Sequence, residues 1–318
     1  MVEITLVILI LIGGILLIAY TSSVAVKHAA ILASGLGISP LIIGITFVSI
    51  GTDISEIFNS IIACSMGHGD INVGDSVGSS LIQITLVFGL LPIICGSFKV
   101  DKKTFTIIGA CEILALIVVF TVVAKGYFTR LDALFMMGCF VLYTIIIYNV
   151  IKDKVIDHVS SMNLKEKFIN KKYHITIAAI AFVGVAISSF IIIQSIIILS
   201  LALNIHEYII SFFILALGTS LPELAVDINA LKKKQYEIAI GDIVGSCIVD
   251  STISIAIGQF LFPQAVSAEL AIPTILYAIC ASIIVITVVS VRGKVDKKAG
   301  ILFISIYLGS FLLLFILL

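Results

Sequence analysis

The feature that most narrows the choice of fold is a segment that occurs twice. VSIGTDISEIFNSIIACSMGHGDINVGDSVGSSLIQ, residues 48–83, aligns without a gap on LALGTSLPELAVDINALKKKQYEIAIGDIVGSCIVD, residues 215–250, at a constant offset of 167. Gly51, Thr52 and Glu56 meet Gly218, Thr219 and Glu223. Gly74, Asp75, Val77, Gly78 and Ser79 meet Gly241, Asp242, Val244, Gly245 and Ser246. Apolar helices coincide by chance at Leu, Ile and Val, not at Gly, Asp and Glu. Close helix packing accounts for the small residues, but it has no need of Glu56 and Glu223.

The surroundings of both copies are apolar. With 60% hydrophobic and 12% charged residues among 318, the chain lacks the polar surface of a soluble protein. It reads as a polytopic membrane protein of the all-α class. Its formal charge of zero suggests no nucleic-acid partner. Cys64, Cys95, Cys111, Cys139, Cys247 and Cys280 lie in or beside apolar runs without a CxxC or Cys/His cluster, so they read as small buried hydrophobes. No ATP-binding motif is present, and nothing points to an enzyme, a cofactor or a required protein partner. The first apolar run lacks a basic n-region and a clear cleavage site, and is expected to be a retained helix.

A bilayer core needs about 20 apolar residues per helix. Ten runs qualify: roughly 2–20, 38–63, 73–96, 104–124, 131–151, 174–194, 208–231, 238–261, 270–291 and 300–317. Segments 24–37 and 195–204 read as helical extensions or connectors. The hydrophilic stretch 152–173 reads as a cytoplasmic linker, too short for a regulatory domain. It divides a first five-helix half, 1–151, with its repeat at about 44–89, from a second, 174–318, with its repeat at about 211–256.

Basic residues set the expected orientation. With the N-terminus outside, the inner loops hold 17 of the 19 basic residues, and only Lys125 and Arg130 remain outside. Both termini are then expected to face outward from a plasma membrane. Five helices is an odd number, so the second half enters the membrane inverted. Inverted repeats place substrate sites near the midplane, where the halves meet.

Charged groups in hydrocarbon cost about 2.5–3.5 kcal/mol on insertion scales and mark ion paths. Thr52 and Glu56 are four residues apart, as are Thr219 and Glu223, so each pair shares a helix face. Ser79 with Gln83, and Ser246 with Asp250, form two further faces. A pseudo-twofold axis would pool these oxygens. Oxygen without thiolate or imidazole suits hard cations such as Ca2+ and Na+. Pro222 cannot donate to the carbonyl of Gly218, and broken helices at membrane depth can present backbone carbonyls to an ion. The first copy has Ser55 at the proline position. No Lys or Arg lies in the membrane interior near these acids, so a cation or protons must balance them. That competition supports exchange of Ca2+ against Na+ or H+. A passive cation channel is the rival, but it calls for a continuous pore, often built by oligomer symmetry.

GTSLPE at 218–223 with GDIVGSCIVD at 241–250 resembles the alpha-repeat of the sodium/calcium exchanger family, within the cation/Ca2+ antiporter superfamily. GTDISE and GDSVGSSLIQ resemble a degenerate first copy. The resemblance implies ten helices in two inverted halves. Helices 2, 3, 7 and 8 would surround the ions, with helices 1 and 6 sliding during alternating access. It implies Glu56 and Glu223 as central Ca2+ ligands shared with Na+. Thr52, Thr219, Ser79, Ser246, Gln83 and Asp250 would complete the set, with backbone oxygens near Ser49 and Ala216. Asp53 stands where the family usually has Ser, and its counterpart Ser220 keeps that Ser. The extra charge at Asp53 and the Gln at 83 leave Ca2+ binding in place and make H+ an alternative to Na+ as the driving ion.

Asp75 and Asp242 occupy equivalent positions and are expected to start helices 3 and 8, capping backbone donors or guiding ions at the mouth. The YD and GxGD pattern of intramembrane aspartyl proteases is absent. Asp227 is expected near the exit, opposite Ser60 of the first copy. Glu112 is expected to be protonated or lipid-facing. His68, His158, His174 and His206 are expected to be solvated near interfaces, and His28 to belong to the helix 1 extension.

Overall fold

A computed structural model describes residues 2–35, 49–159, 171–232, 234 and 236–313. Among these residues the chain is a succession of ten helical segments joined by short turns. In the first half they are α1 (Val2–Gly35), α2 (Ser49–Thr52 and Ile54–Ser65) and α3 (Gly69–Ile82, Gln83–Val87 and Phe88–Ile94). Then come α4 (Lys102–Val123) and α5 (Arg130–Val159). The second half has α6 (Lys171–Leu203) and α7 (Glu207–Ile210, Ser211–Leu215, Ala216–Thr219 and Leu221–Lys232). It continues with α8 (Tyr236–Val249, Asp250–Ser254 and Ile255–Leu261), α9 (Ala268–Arg292) and α10 (Lys297–Ser310). Eight are long and apolar enough to cross a membrane. Stretches 24–35 and 195–203 are continuous helix, as extensions of α1 and α6. The polar stretch after Ile151 also begins as helix, since α5 runs on to Val159.

Burial orders the helices from centre to rim. The apolar windows of α3 and α8 are 78% and 72% buried, against 17% for α1. Leu6, Leu9, Leu16 and Tyr20 of α1 stand outward and exposed. Such a surface is unfavourable in water and suits lipid. Glycines permit the close approaches at the centre. A Cβ on Gly78 of α3 would lie 2.3 Å from the carbonyl oxygen of Phe212 on α7.

The inversion is visible in the backbone. The 3–4 link pairs with the 9–10 link in a short antiparallel ladder, Phe98–Lys99 (β1) against Lys294–Val295 (β2). The 4–5 link bridges the 8–9 link at Tyr127 and Ala265. Val100 N–H donates to Gly293 O at 3.1 Å in the first clasp, and Val266 N–H to Gly126 O at 3.0 Å in the second. The two clasps lie at opposite ends of α4, so each face of the molecule carries one. Gly126 and Gly293, 167 apart, both take positive φ, 73° and 65°; Gly67 and Lys234, also 167 apart, do so at 88° and 60°. The helices that follow the clasps start on equivalent caps. Thr129 Oγ1 accepts from Asp132 N–H at 3.2 Å, and Asp296 Oδ1 from Ala299 N–H at 3.1 Å. The offset found in 36 aligned letters thus extends to turns outside them, whether the letters match, as at Gly126 and Gly293, or differ, as at Thr129 and Asp296.

Candidate cation site

Two kinds of helix irregularity build the site, and each recurs at equivalent positions of the two halves; α7 carries a further wide turn at Ser211–Leu215. The first is a break. α2 is interrupted at Asp53 (φ −81°, ψ 12°) and α7 at the equivalent Ser220 (φ −81°, ψ 2°). Both sit in the sparsely populated bridge region between helix and strand. Pro222 accounts for one missing donor in α7. In α2 the same break forms with Ser55 at the proline position. The second irregularity is a wide turn of π-helix, at Gln83–Val87 in α3 and Asp250–Ser254 in α8, again 167 apart. Each carries a threonine whose hydroxyl takes the carbonyl four residues back, Thr85 to Leu81 and Thr252 to Ile248. A hydroxyl competing for that carbonyl loosens the α ladder, and wide turns of this kind gather at functional sites.

The irregularities converge. One carboxylate oxygen from each of Asp53, Glu56 and Glu223 lies within 4.8 Å of the others. All three residues are buried, at 0%, 1% and 1% exposure. Asp250 lies near enough to Asp53 and Glu56 to repel them. Neither oxygen of Asp53, Glu223 or Asp250 has a hydrogen-bond partner among the described residues, nor does Glu56 Oε1. Glu56 Oε2 accepts from Ser55 Oγ at 2.7 Å. Hydroxyl pairs cross between the halves: Thr52 with Ser246, and Thr219 with Ser79, each at 3.3 Å. On the pseudo-twofold itself, equivalent residues meet. Ser80 Oγ donates to Cys247 O at 3.3 Å, and Cys247 Sγ to Ser80 O at 3.5 Å. Gln83 Oε1 accepts from Cys247 Sγ at 3.6 Å, while its Nε2 has no partner among the described residues.

Ser220 Oγ donates to Ala216 O at 2.8 Å, within the break of α7. Ser49 opens α2, but its side chain lies outside the described residues. Asp75 and Asp242 are not helix caps. α3 starts at Gly69 and α8 at Tyr236, which puts both aspartates more than a turn inside. Asp75 accepts from Asn59 Nδ2 at 3.0 Å and from Thr219 Oγ1 at 3.2 Å. Asp227 and Asp242 form a buried pair.

Glu112 does not face lipid. It is 0% exposed, with Ser282 Oγ donating to its Oε1 at 2.7 Å and its Oε2 unpartnered among the described residues. Nor are the histidines simply solvated. His68 pairs with Glu207 at 2.7 Å and His206 with Asp70 at 3.6 Å, both between halves, and His174 meets His28. The His158 side chain lies outside the described residues.

Among the described residues the ion pairs of Lys and Arg go elsewhere, to Asp132 and Asp296. Unpaired carboxylates at this burial are unstable without counter-charge, and the donors are all oxygen. Inverted halves around such a cluster define a multi-pass membrane transporter of the cation/Ca2+ antiporter class. The sodium/calcium exchanger protein family matches the chain twice, over residues 6–149 and 173–316, themselves 167 apart. The chain belongs to this family of membrane exchangers. It is similar to the inner membrane protein YrbG of Escherichia coli, 29% identical over 80% of this chain and 79% of that one. Its fold is that of the sodium-calcium exchanger NCX_Mj, with TM-score 0.63, 23% identity, and coverage of 97% and 98%. It is also that of the H+/Ca2+ exchanger CAX, with TM-score 0.72, 14% identity, and coverage of 96% and 82%.

Proposed function

We propose that the protein exchanges Ca2+ for Na+ across the plasma membrane by alternating access. The observation that carries this reading is the convergence of Asp53, Glu56 and Glu223 within 4.8 Å, buried and without a basic partner. Ca2+ takes 6–8 oxygens at about 2.3–2.6 Å, so ligands on opposite sides of one ion lie about 5 Å apart. Glu56 and Glu223 are the central ligands in this reading, with Asp53, Asp250 and Gln83 beside them. Thr52, Thr219, Ser79 and Ser246 add hydroxyl oxygens. Ser220 and the carbonyls of Ser49 and Ala216 join when the breaks in α2 and α7 turn toward the ion. Asp75 on one side, and Asp227 with Asp242 on the other, line the approaches. The Lys-rich links face the cytoplasm and both termini face outward. Residues 1–151 and 174–318 act as the two halves.

Each carboxylate ligand has a second state as a protonated acid, so an empty carrier is neutral only when protons or Na+ replace Ca2+. Asp53 adds one such acid where the other half has Ser220. It favours a second reading, exchange of H+ for Ca2+. The test is Ca2+ flux into proteoliposomes under an imposed Na+ gradient, then under a pH gradient. Uptake is expected with Na+ and none with the pH gradient alone. Uptake driven only by the pH gradient replaces the first reading with the second. Single-channel currents without coupling would remove both.

A further inference from the structure

The two peripheral helices carry a second group of potential ligands, remote in kind from the oxygen cluster. His28 of α1 and His174 of α6 bring their Nδ1 atoms to 2.9 Å. The ring centroids are 4.9 Å apart and the planes are tilted by 39°, so the nitrogens converge instead of the ring faces. Tyr173 stands edge-on to both rings. Two neutral imidazoles hold this distance when one Nδ1 carries a proton and donates to the other. Without that proton, the two lone pairs face one point in space.

A transition-metal ion fits that point. Imidazole nitrogens bind at about 2.0–2.1 Å, so nitrogens 2.9 Å apart subtend about 90° at the ion. That is close to the angle of adjacent positions in square-planar or octahedral coordination, and imidazole nitrogen is a donor that Cu2+ and Ni2+ favour. Lys27 precedes His28 directly and Lys172 lies two residues before His174 in sequence, and both are exposed. Their charges oppose a hard cation held by charge alone, such as Ca2+ or Na+. Only an ion that gains directional nitrogen bonds offsets that repulsion. We propose that His28 and His174 form a two-imidazole site for Cu2+ or a like transition cation at the Lys-rich end of the α1–α6 pair, and that an ion there arrests transport.

The arrest follows from what α1 touches. Val26, half a turn from His28, fills the space over Gly51; a Cβ on Gly51 would lie 2.6 Å from Val26 Cγ1. Ile15 sits likewise over Gly218, at 2.7 Å. α1 therefore rests on the glycines beside both helix breaks. Within the pair, Gly14 meets Ile192 at 2.9 Å and Gly184 meets Thr21 at 2.8 Å. A metal staple between His28 and His174 locks the Gly14–Ile192 and Gly184–Thr21 contacts, so that α1 cannot shift along α6 when it moves over the breaks.

The test uses the full chain in nanodiscs, titrated with Cu2+ and followed by electron paramagnetic resonance. One equivalent with hyperfine coupling to two imidazole nitrogens is expected. Affinity should fall at least tenfold in His28→Ala and, independently, in His174→Gln, each of which should keep metal-free transport as a check on folding. The double variant His68→Ala/His206→Ala, which removes the imidazoles nearest Asp70 and Glu207, should bind as the parent does. In proteoliposomes Cu2+ should slow flux, a chelator should restore it, and His28→Ala should be insensitive. A two-nitrogen signal that survives His28→Ala, or disappears with the His68/His206 pair, overturns the site. Binding at His28 and His174 that leaves flux untouched overturns the arrest. The resonance measurement is independent of which ions the protein exchanges, so its failure is separable from failure of the transport reading.

Discussion

In the first half the acid beside the helix break is Asp53 on α2, and the wide turn on α3 begins with the neutral Gln83. In the second half the break carries Ser220, and the acid begins the wide turn on α8 as Asp250. Each half brings two central carboxylates, Asp53 and Glu56 against Glu223 and Asp250, but from different helices. The backbone geometry is the same at both places to within 10° in the torsions of the break. Backbone shape here belongs to the repeated packing, and the placement of charge is free to vary within it. Proline illustrates the same point: one break has Pro222 and the other has none.

The glutamates give the largest expected effect. If the halves contribute equally to one ion, Glu56→Gln and Glu223→Gln should each reduce Ca2+ flux in proteoliposomes by at least 100-fold, with insertion unchanged. Near-normal flux in either variant would break the equivalence. Exchanging the acid tests it more finely. Asp53→Ser alone removes one central charge and should weaken Ca2+ binding by about tenfold, since affinity at such sites follows the charge count of the ligands. Asp53→Ser with Gln83→Asp gives the first half the pattern of the second, and titration with Ca2+ should show most of the affinity restored. An unrestored double variant would mean that the position of the charge matters, not its number. The smallest effect is expected at the proline. Pro222→Ser copies the first half, where the break forms without it, so flux should stay within about threefold. A loss as large as that of the glutamate variants would mean that the two breaks are held by different forces.

Much of this was legible in the letters. Glu56, Glu223 and the glycines marked the repeat, and apolar runs gave the helices, because membrane burial demands long uninterrupted stretches. Asp53 stands out in the sequence as a departure from the family pattern, and the structure places it in the central carboxylate cluster. Other features depended on tertiary contacts. The wide turns had a faint signal, a threonine two residues after Gln83 and after Asp250, but the carbonyl it takes is known only once the helix exists. Asp75 looked like a cap because α3 was expected to start at 73; the partners that bury it, Asn59 and Thr219, lie on other helices. Glu112 looked outward because helix α4 is apolar all round, and no periodicity marks the side that meets Ser282. His28 and His174 are 146 residues apart, and nothing local pairs them.

The two clasps also decide what can move. Backbone hydrogen bonds join the links of α3, α4 and α5 to those of α8, α9 and α10, at one face through Phe98–Lys99 and at the other through Tyr127 and Ala265. Those six helices are riveted through their links, and pulling the links apart would break main-chain bonds. No such rivet joins α1 or α6 to these six helices among the described residues; Val26 and Ile15 of α1 lie over Gly51 and Gly218, and Phe182 of α6 stacks on Phe58 of α2. A piston that slides on smooth contacts loses little on the way, so travel of α1 over the breaks and along α6 costs no main-chain bond among the described residues.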